Sequence, residues 1–330
     1  MFSIFVVIVV IVMLALVFDF VNGFHDTANA IATSVSTKAL SPRAAITVAA
    51  TLNFLGAMSG TAVAETIGKN IVAPDMVTPL VIISALVGAI FWNLFTWRFG
   101  IPSSSSHALI GGLIGGVIAG FGASFVQWKG FFTILGGLII SPILGLVAGS
   151  IVMTTLFWIF KNTSPARLNN NFRKLQIVSA CMASFAHGSN DAQKTMGIIT
   201  MVLLSSSLIA TFEVPIWVKV ACALAMAAGT AAGGWRIIRT MGGKIFRIEP
   251  INGFAADFTA SLVIFSASHI GAPVSTTHVV SSSIMGVGAA KRLKGVRWNI
   301  ARQIIIAWFV TIPSSALVAI IFYKLLLFLQ

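Results

Sequence analysis

The sequence predicts an all-α polytopic membrane protein built from two inverted-topology repeats with broken or re-entrant helices. Three observations support this fold class: long segments without charge, an internal repeat, and a Gly-x-Pro motif in each copy. Of the 330 residues, 57% are hydrophobic and 9% are charged, whereas soluble domains have about 25% charged residues. So few charges cannot cover two soluble domains, which excludes a soluble enzyme, a disordered chain and a β-barrel.

Six charge-free segments are each long enough to cross a bilayer core, which takes about 20 apolar residues. They are residues 44–64, 76–97, 99–128, 130–160, 258–290 and 303–323. The first 18 residues are also apolar and lack the basic and small-residue signals of a cleaved leader, so we expect a retained first helix.

The basic residues indicate how the chain is oriented. Fifteen of the 21 Lys and Arg residues lie in residues 38–43, 161–174, 236–247 and 291–302. Short basic loops stay in the cytoplasm, so we expect a multi-pass protein of the plasma membrane with both termini outside. Topology accounts for the net charge of +13, and no nucleic-acid partner is expected, because no exposed aromatics or recognisable binding module accompany the charge.

Two copies of one pattern occur in the same order in each half of the chain. Residues 22–29 (NGFHDTAN) match residues 187–194 (HGSNDAQK), and residues 100–107 (GIPSSSSH) match residues 271–278 (GAPVSTTH). Between them, Gly60-Thr61-Ala62 is aligned with Gly229-Thr230-Ala231.

The basic stretches predict that the two copies run in opposite directions. One stretch follows Asp26 of the first copy, and another precedes Asp191 of the second copy. The predicted domains are residues 1–160 and 177–330, joined by a cytoplasmic linker of residues 161–176. Inverted repeats are typical of transporters, with the substrate site at the bilayer midplane between the copies.

The Gly-x-Pro motifs predict an anion site. Proline cannot continue a helix, so residues 99–128 and 258–290 are each expected to form two half-spans, with hydroxyl groups where the second half-helix begins. Helix N-termini carry unpaired N–H groups and partial positive charge, which attract anions. Two such ends facing each other would hold a tetrahedral oxyanion. The hydroxyl residues are Ser103, Ser104, Ser105, Ser106, Ser275, Thr276 and Thr277.

Asp26 and Asp191 form a second candidate site. An Asp near the middle of a membrane costs about 2.5–3.5 kcal/mol on insertion scales, so it is a functional candidate by default. Carboxylate, amide and exposed backbone carbonyl oxygens suit a small hard cation. No His or Cys ligand spacing accompanies the four nearby histidines, which disfavours a transition metal. The neighbouring amides are Asn22, Asn29, Asn190 and Gln193.

Two basic residues near the motifs each have two possible roles. Lys194 is the only Lys or Arg in residues 175–218, and it either neutralises a bound anion or pairs with Asp191, since an intramembrane base must find a partner. Arg98 aligns with His269, just before the Gly-x-Pro motif, and has the same two interpretations.

The paired motifs resemble the inorganic phosphate transporter family often called PiT. The segments that carry the resemblance are residues 18–33, 100–107, 187–197 and 271–278. The resemblance covers nearly the whole chain and is strongest for the compact bacterial low-affinity members. It implies secondary active uptake of inorganic phosphate, coupled to sodium or protons by alternating access, with no tightly bound cofactor. It also suggests a homodimer.

The resemblance also implies roles for individual residues. The coupling-cation candidates are Asp26, Asn29, Asn190 and Asp191, and Lys194 is kept as a further substrate-side candidate. Ser103 is a weaker candidate, because the second copy has Val274 at the corresponding position. The phosphate-side candidates are Ser104, Ser105, Ser106, Gln193, Ser275, Thr276 and Thr277.

Several alternatives stay open at the level of sequence. A sulfate or other oxyanion permease would use the same hydroxyl groups, and some family members carry metal–phosphate complexes. An anion channel would show no cation dependence. An intramembrane hydrolase would need a nucleophile–base pair with an orienting group, which matched pairs of polar residues do not favour. Histidines beside both Asp motifs keep proton coupling open alongside sodium.

Overall fold

The computed structural model describes residues 4–70 and 76–329, apart from the side chains of Thr27, Asn70, Pro165 and Trp235. Within these ranges the chain folds into twelve α-helices and no β-strand, which confirms the all-α prediction. The helices are α1 Ile4–Ser36, α2 Pro42–Met58, α3 Ala62–Asn70, α4 Pro79–Phe99, α5 Ser105–Phe121, α6 Trp128–Ile159, α7 Pro165–Ser205, α8 Ile216–Ala232, α9 Trp235–Arg239, α10 Pro250–His269, α11 Thr276–Lys291 and α12 Trp298–Phe328.

Local sequence signals determine where several helices begin and end. The hydroxyl of Ser41 accepts a hydrogen bond from the N–H of Ala44 (3.3 Å), and Thr78 accepts one from Val81 (3.4 Å). A proline follows each cap and begins α2 or α4, where its missing N–H is not needed. Helix α4 ends at Gly100, whose φ of 65° is a left-handed conformation that glycine adopts without steric cost.

The helices have the length and surface of membrane spans. Among the described residues, five helices are long and apolar enough to cross a bilayer, or up to seven if two bent pairs each count as one span. Large apolar side chains cover their outer faces; Phe309 of α12 is 73% exposed and Ile151 of α6 is 60% exposed. Such a surface is suited to lipid rather than water, so the chain is a multi-pass membrane protein.

The first six helices pack against the last six in a reciprocal pattern. Helix α1 packs against α8 while α2 packs against α7, and α5 packs against α12 while α11 packs against α6. If each helix of the first half corresponds to the helix six places later, so that α1 corresponds to α7 and α2 to α8, then the two contacts in each pair are equivalent. A twofold relation between residues 1–160 and 177–330 would produce this pattern. The domain boundaries and the opposite orientation of the halves stay predictions.

Close glycine contacts correct the alignment of the repeats. A Cβ atom on Gly56 would lie 2.1 Å from the carbonyl oxygen of Phe185, and one on Gly229 would lie 2.0 Å from that of Phe20. Phe20 and Phe185 are separated by the same number of residues as the two Asp motifs. Gly229 therefore corresponds to Gly56. The sequence alignment with Gly60 was wrong, because Gly60 lies in the break after α2 whereas Gly229 lies inside α8.

The helix breaks differ in position from the sequence prediction. Helices α4 and α10 are unbroken over 21 and 20 residues and end before the Gly-x-Pro motifs, so each motif joins two helices instead of halving one span. Two further bends were not predicted, 67° between α2 and α3 and 62° between α8 and the segment Arg236–Lys244. Their sequence signals are glycines, which are weaker markers of a break than proline.

Two other features of the long helices differ from expectation. Helix α7 begins at Pro165, so most of the predicted linker 161–176 is helical and continuous with the second half. Helices α1 and α7 run unbroken through Asp26 and Asp191. Their backbone carbonyls are therefore used within the helices, and the cation site has to rely on side chains.

Replacing Gly229 by Ala is expected to lower the thermal unfolding temperature of the purified protein, because the added methyl group would collide with the backbone of α1. Overpacking of this kind typically costs about 1–3 kcal/mol. The matched control is Gly136→Ala in α6, where a Cβ atom would meet nothing within 4 Å. Gly136→Ala should leave the melting temperature unchanged or slightly raised, since Ala favours helix. Equal melting temperatures for both variants would contradict this close packing.

Candidate functional site

The hydroxyl motifs begin α5 and α11. Ser104 and Ser275 are the N-cap residues, and each accepts a hydrogen bond from the N–H three residues later, at 3.2 Å in both helices. The rings of His107 and His278 lie 4.5 Å apart between centroids, so the two helix starts are adjacent. The structure thus places the hydroxyl groups at two neighbouring helix N-termini, as the sequence predicted.

Asp26, in the middle of α1, accepts hydrogen bonds from both helix starts. Ser105 of α5 donates to Oδ2 at 3.0 Å, and Thr277 of α11 donates to Oδ1 at 3.1 Å. His25 Nδ1 lies 2.6 Å from the same Oδ1, and Asn29 Nδ2 donates to the hydroxyl of Thr277 at 2.8 Å. The carboxylate, which is 2% exposed, therefore links α1 to both motifs.

Asp191 has the corresponding position in α7. Thr276 of α11 donates to its Oδ2 at 2.9 Å. His187 Nε2 lies 3.2 Å from the same oxygen, one helical turn earlier in α7. Lys194 Nζ donates to Oδ1 in a short ion pair. An ionised carboxylate buried to 1% exposure needs such partners, because burial without them would be unfavourable.

Lys194 joins α7 to both Gly-x-Pro segments. Besides Asp191, its ammonium group donates to the hydroxyl of Ser106 at 2.5 Å and to the carbonyl oxygen of Val274 at 3.0 Å. Ser106 itself donates to the Val274 carbonyl at 3.1 Å. The ion pair that the sequence left as one of two interpretations is present, and the same ammonium also reaches the hydroxyl cluster.

Three buried side chains lie close enough to hold one cation. A ligand atom from each of Asp26, His187 and Asp191 falls within 4.8 Å of the other two. Asn29 Oδ1 has no hydrogen-bond partner among the described residues, so it is a free oxygen in the same region. Two carboxylates and one amide oxygen fit a small hard cation, and His187 is an additional nitrogen ligand that the sequence analysis did not include.

Two of the candidate residues make their contacts elsewhere. Asn190 donates to the hydroxyl of Ser268 at 2.9 Å and accepts from the N–H of Val274 at 3.4 Å, so it holds the segment before α11. Gln193 accepts from the N–H of Val63 at 2.8 Å, where α3 begins after the bend. Neither side chain hydrogen-bonds to Asp26 or Asp191.

Among the described residues, the two least certain candidates make no hydrogen bond to Asp26 or Asp191 themselves. Ser103 is fully buried, shares a 2.7 Å hydrogen bond with Thr96 of α4 and lies 3.5 Å from Nε2 of His25, so it is linked to Asp26 through that histidine. Arg98 is exposed at the end of α4, and its carbonyl oxygen accepts a hydrogen bond from Arg236. Arg98 is therefore not part of the buried cluster, which answers the ambiguity left by the sequence.

A histidine contacts each of the two acids and is itself held by a second polar side chain. His25 lies against Asp26 and places its Nε2 3.1 Å from the hydroxyl of Thr96. His187 lies against Asp191 and places its Nδ1 3.1 Å from Asn53 Oδ1. The sequence signal was only that a histidine stands near each Asp, because Thr96 and Asn53 are distant along the chain.

Comparison with known proteins identifies the family. The model of the phosphate transporter family matches residues 22–319, and these residues include both Asp motifs and both hydroxyl motifs. The chain belongs to this family.

Proteins similar to this one align with nearly its whole length. A protein of Bacillus subtilis (strain 168), called a probable low-affinity inorganic phosphate transporter, is 53% identical over 321 residues, which are 96% of each chain. A protein of Rhizobium meliloti (strain 1021) with the same description is 47% identical over 95% of this chain and 94% of its own. A solved structure described as "The sodium-dependent phosphate transporter" superposes with a TM-score of 0.88 at 25% identity, covering 98% of this chain and 100% of that one.

These likenesses decide between classes of function. The family and its members are phosphate transporters, so the chain is a transporter and not an enzyme. The intramembrane hydrolase considered from the sequence is therefore set aside. The structural neighbour also confirms the fold class of a helical membrane protein with broken helices.

Replacing Thr277 by Val is expected to weaken the site, because it removes a donor to Asp26 and an acceptor for Asn29. Leaving buried polar groups without a partner costs about 1–3 kcal/mol. We expect a lower melting temperature and reduced phosphate uptake at low phosphate concentration. The matched control is Thr259→Val, because Thr259 is equally buried and its hydroxyl has no hydrogen-bond partner among the residues that the structure describes. Identical behaviour of the two variants would mean that the Thr277 hydroxyl contributes nothing.

Proposed function

We propose that the protein takes up inorganic phosphate by secondary active transport, coupled to a sodium ion or a proton. The phosphate site would lie between α1, α5, α7 and α11, near the bilayer midplane. The observation that carries the proposal is the buried cluster in which the hydroxyl groups of α5 and α11 meet Asp26, Asp191 and Lys194. Transporters with inverted repeats bind anionic groups at such broken-helix ends.

The phosphate-side residues in this proposal are hydrogen-bond donors. Lys194 supplies a positive charge in contact with Ser106, and the two helix N-termini supply N–H groups. Gln193 lies with Ser189 and Ser268 on the wall of a cavity of about 170 Å³ beside the bend after α2, which supports a place for Gln193 on the anion's route. The complete set is Ser104, Ser105, Ser106, Gln193, Lys194, Ser275, Thr276 and Thr277.

A coupling cation is required by charge. Asp26 and Asp191 with Lys194 give two carboxylates and one ammonium, so the buried cluster has an excess of negative charge before phosphate enters. Phosphate adds at least one further negative charge. Like charges repel strongly where the dielectric constant is low, so the anion can enter only together with positive charge.

Competition for hydroxyl protons links the two ligands. Ser105 and Thr277 donate to Asp26, and Thr276 donates to Asp191. A hydroxyl has one proton to donate, so these three groups cannot bind phosphate while they bind the carboxylates. A cation bound at the carboxylates would take their oxygens and free the hydroxyl groups for phosphate. Cation binding would therefore create the phosphate site.

The proposed coupling ion is sodium or a proton, and separate observations support each. Asp26, Asn29 and Asp191 are the proposed cation ligands, and their oxygens suit sodium. Asn190, the fourth cation-side residue, would act by holding the segment before α11. The sodium-dependent description of the structural neighbour agrees with that assignment. Histidines in contact with both carboxylates instead favour a proton.

Alternating access would use the two halves of the chain. The exchanged contacts of α1 with α8 and α2 with α7 support a twofold relation between the halves. In this proposal both termini face outward in the plasma membrane, as the basic loops predict, and the halves rock about the occupied site. A homodimer, suggested by the family, would leave this site within each subunit.

A sulfate permease is disfavoured by the acceptors in the cluster. Phosphate at neutral pH keeps at least one O–H group, whereas sulfate has none. The carboxylates of Asp26 and Asp191 and the carbonyl oxygen of Val274 are acceptors within the hydroxyl cluster. Acceptors would bind the phosphate O–H group and repel the lone pairs of sulfate, so phosphate fits this site better.

Purified protein in liposomes is expected to accumulate labelled phosphate under one imposed gradient, sodium or proton, and not without a gradient. The gradient that drives accumulation identifies the coupling ion, because only co-transport can raise the phosphate concentration inside the liposomes above its equilibrium value. Excess unlabelled phosphate should abolish uptake, whereas excess sulfate should leave it nearly unchanged. Equilibration without accumulation under every condition would indicate a channel and end the proposal of coupled transport.

Asp26→Asn and Asp191→Asn are each expected to abolish accumulation, because the amide cannot supply the negative charge that holds the cation. Insertion into the membrane, measured by protease protection and gel filtration, should be retained. The control is Glu65→Gln, which removes an exposed carboxylate of α3 and should accumulate phosphate normally. Accumulation at the wild-type level by both Asp variants would remove these residues from the mechanism.

A further inference from the structure

A third acid lies on the same face of α1 as the proposed cation site. Asp19, Asn22, Asp26, Asn29 and Thr33 follow one another at intervals of three or four residues, and all are buried to 2% exposure or less. That spacing places them on one face of the helix, over a length of about 21 Å. The proposed mechanism uses Asp26 and Asn29 but gives no role to Asp19 at the N-terminal end of the row.

Asp19 is buried without a hydrogen-bond donor. Its exposure is 0%, and neither carboxyl oxygen has a hydrogen-bond partner among the described residues. The Thr195 hydroxyl and the Cys222 thiol lie beside the group, but neither makes a hydrogen bond of normal geometry with it. Within the described ranges, the Thr195 hydroxyl also has no hydrogen-bond partner. Asp26 and Asp191, in contrast, each accept two or more hydrogen bonds.

In the part of the chain that the structure describes, the only positive charge beside Asp19 is Lys194, which is already paired. The titratable or charged groups that face it from the helices packed against α1 are Asp191 and Lys194 of α7 and Cys222 of α8. Lys194 already pairs with Asp191, so this pair brings no net charge to Asp19. An isolated ionised carboxylate in such surroundings is strongly unfavourable, and such groups normally become neutral instead.

A proton fits this position better than a metal ion. Sodium and other hard cations prefer several oxygen ligands, and the thiol of Cys222 on one side of Asp19 is a soft ligand. A proton needs only one acceptor. A protonated Asp19 could donate to the unpartnered hydroxyl of Thr195, which would satisfy both groups at once.

We infer that Asp19 is a proton-binding site, separate from the cation site at Asp26 and Asp191, and that it is occupied by a proton in this conformation. The inference rests on the proposed function, because the proton would be bound and released during the transport cycle. Rotation of the Lys194 ammonium from Asp191 toward a bound phosphate would leave more negative charge near Asp19 and strengthen its hold on the proton. Phosphate uptake would then depend on pH through Asp19, whichever ion binds at Asp26.

Infrared spectroscopy of the purified protein tests the inference without transport. A protonated carboxyl group gives a C=O stretching band that a carboxylate lacks. We expect Asp19→Asn to lose one such band of the wild-type protein at neutral pH, while Glu213→Gln, which changes a carboxyl group outside the buried row, leaves the band unchanged. The band should not depend on sodium. An unchanged band in Asp19→Asn, or a band that appears only when sodium is removed, would overturn the inference.

Uptake measurements supply the second readout. Asn can neither bind nor release a proton, so the uptake that Asp19→Asn retains should be slower than that of the wild-type protein and should not decline with rising pH. Asp19→Ser, which also removes the carboxyl group, serves if Asn prevents folding, and its infrared band should be lost in the same way. A wild-type pH profile in either variant would contradict the inference. Failure of the wild-type protein to accumulate phosphate would instead contradict the proposed function, and the infrared result would still decide the state of Asp19.

Discussion

The ion pair of Lys194 with Asp191 is the contact on which the centre of this molecule depends. In a bilayer no water is available to polar groups, so each of them must find its partner inside the protein. Lys194 meets this requirement for three elements at once, through Asp191 of α7, Ser106 of α5 and the carbonyl oxygen of Val274 before α11. Removal of one partner would leave a buried charge unpaired, which is strongly destabilising.

Around this polar centre the apolar framework is held by backbone contact. Gly56 and Gly188 lie against each other's helices, as do Gly23 and Gly229, and a Cβ atom at any of the four would approach a backbone oxygen to 2.3 Å or less. Small residues allow such approach where the hydrophobic effect cannot drive helix association. Helix α1, which carries Asp26, is therefore joined to α8 through its backbone, and α7, which carries Asp191, is joined to α2 in the same way.

Sequence alone could identify much of the site, because charged and hydroxyl residues stand out in apolar segments. Asp26, Asp191 and the hydroxyl motifs were found in this way, and proline marked the helix starts. The partners of His25 and His187 could not be found, since Thr96 and Asn53 lie 71 and 134 residues away along the chain. Asn190 and Gln193 were grouped with the acids by proximity in sequence, but a helix turns neighbouring side chains in different directions. The bend after α2 is not predictable from the sequence, because no proline marks it.

The two carboxylates and single ammonium of the buried cluster have a consequence for the membrane potential. A charge that crosses the membrane exchanges about 2.3 kcal/mol with the potential for every 100 mV. In the proposed cycle, two bound monovalent cations would neutralise a site that carries one negative charge of its own and one from a singly charged phosphate, so voltage would have little effect on the loaded step. The empty site, with Asp26 and Asp191 offset only by Lys194, retains one negative charge. An inside-negative potential drives such a charge outward, so the electrical step of the cycle is the return of the empty carrier.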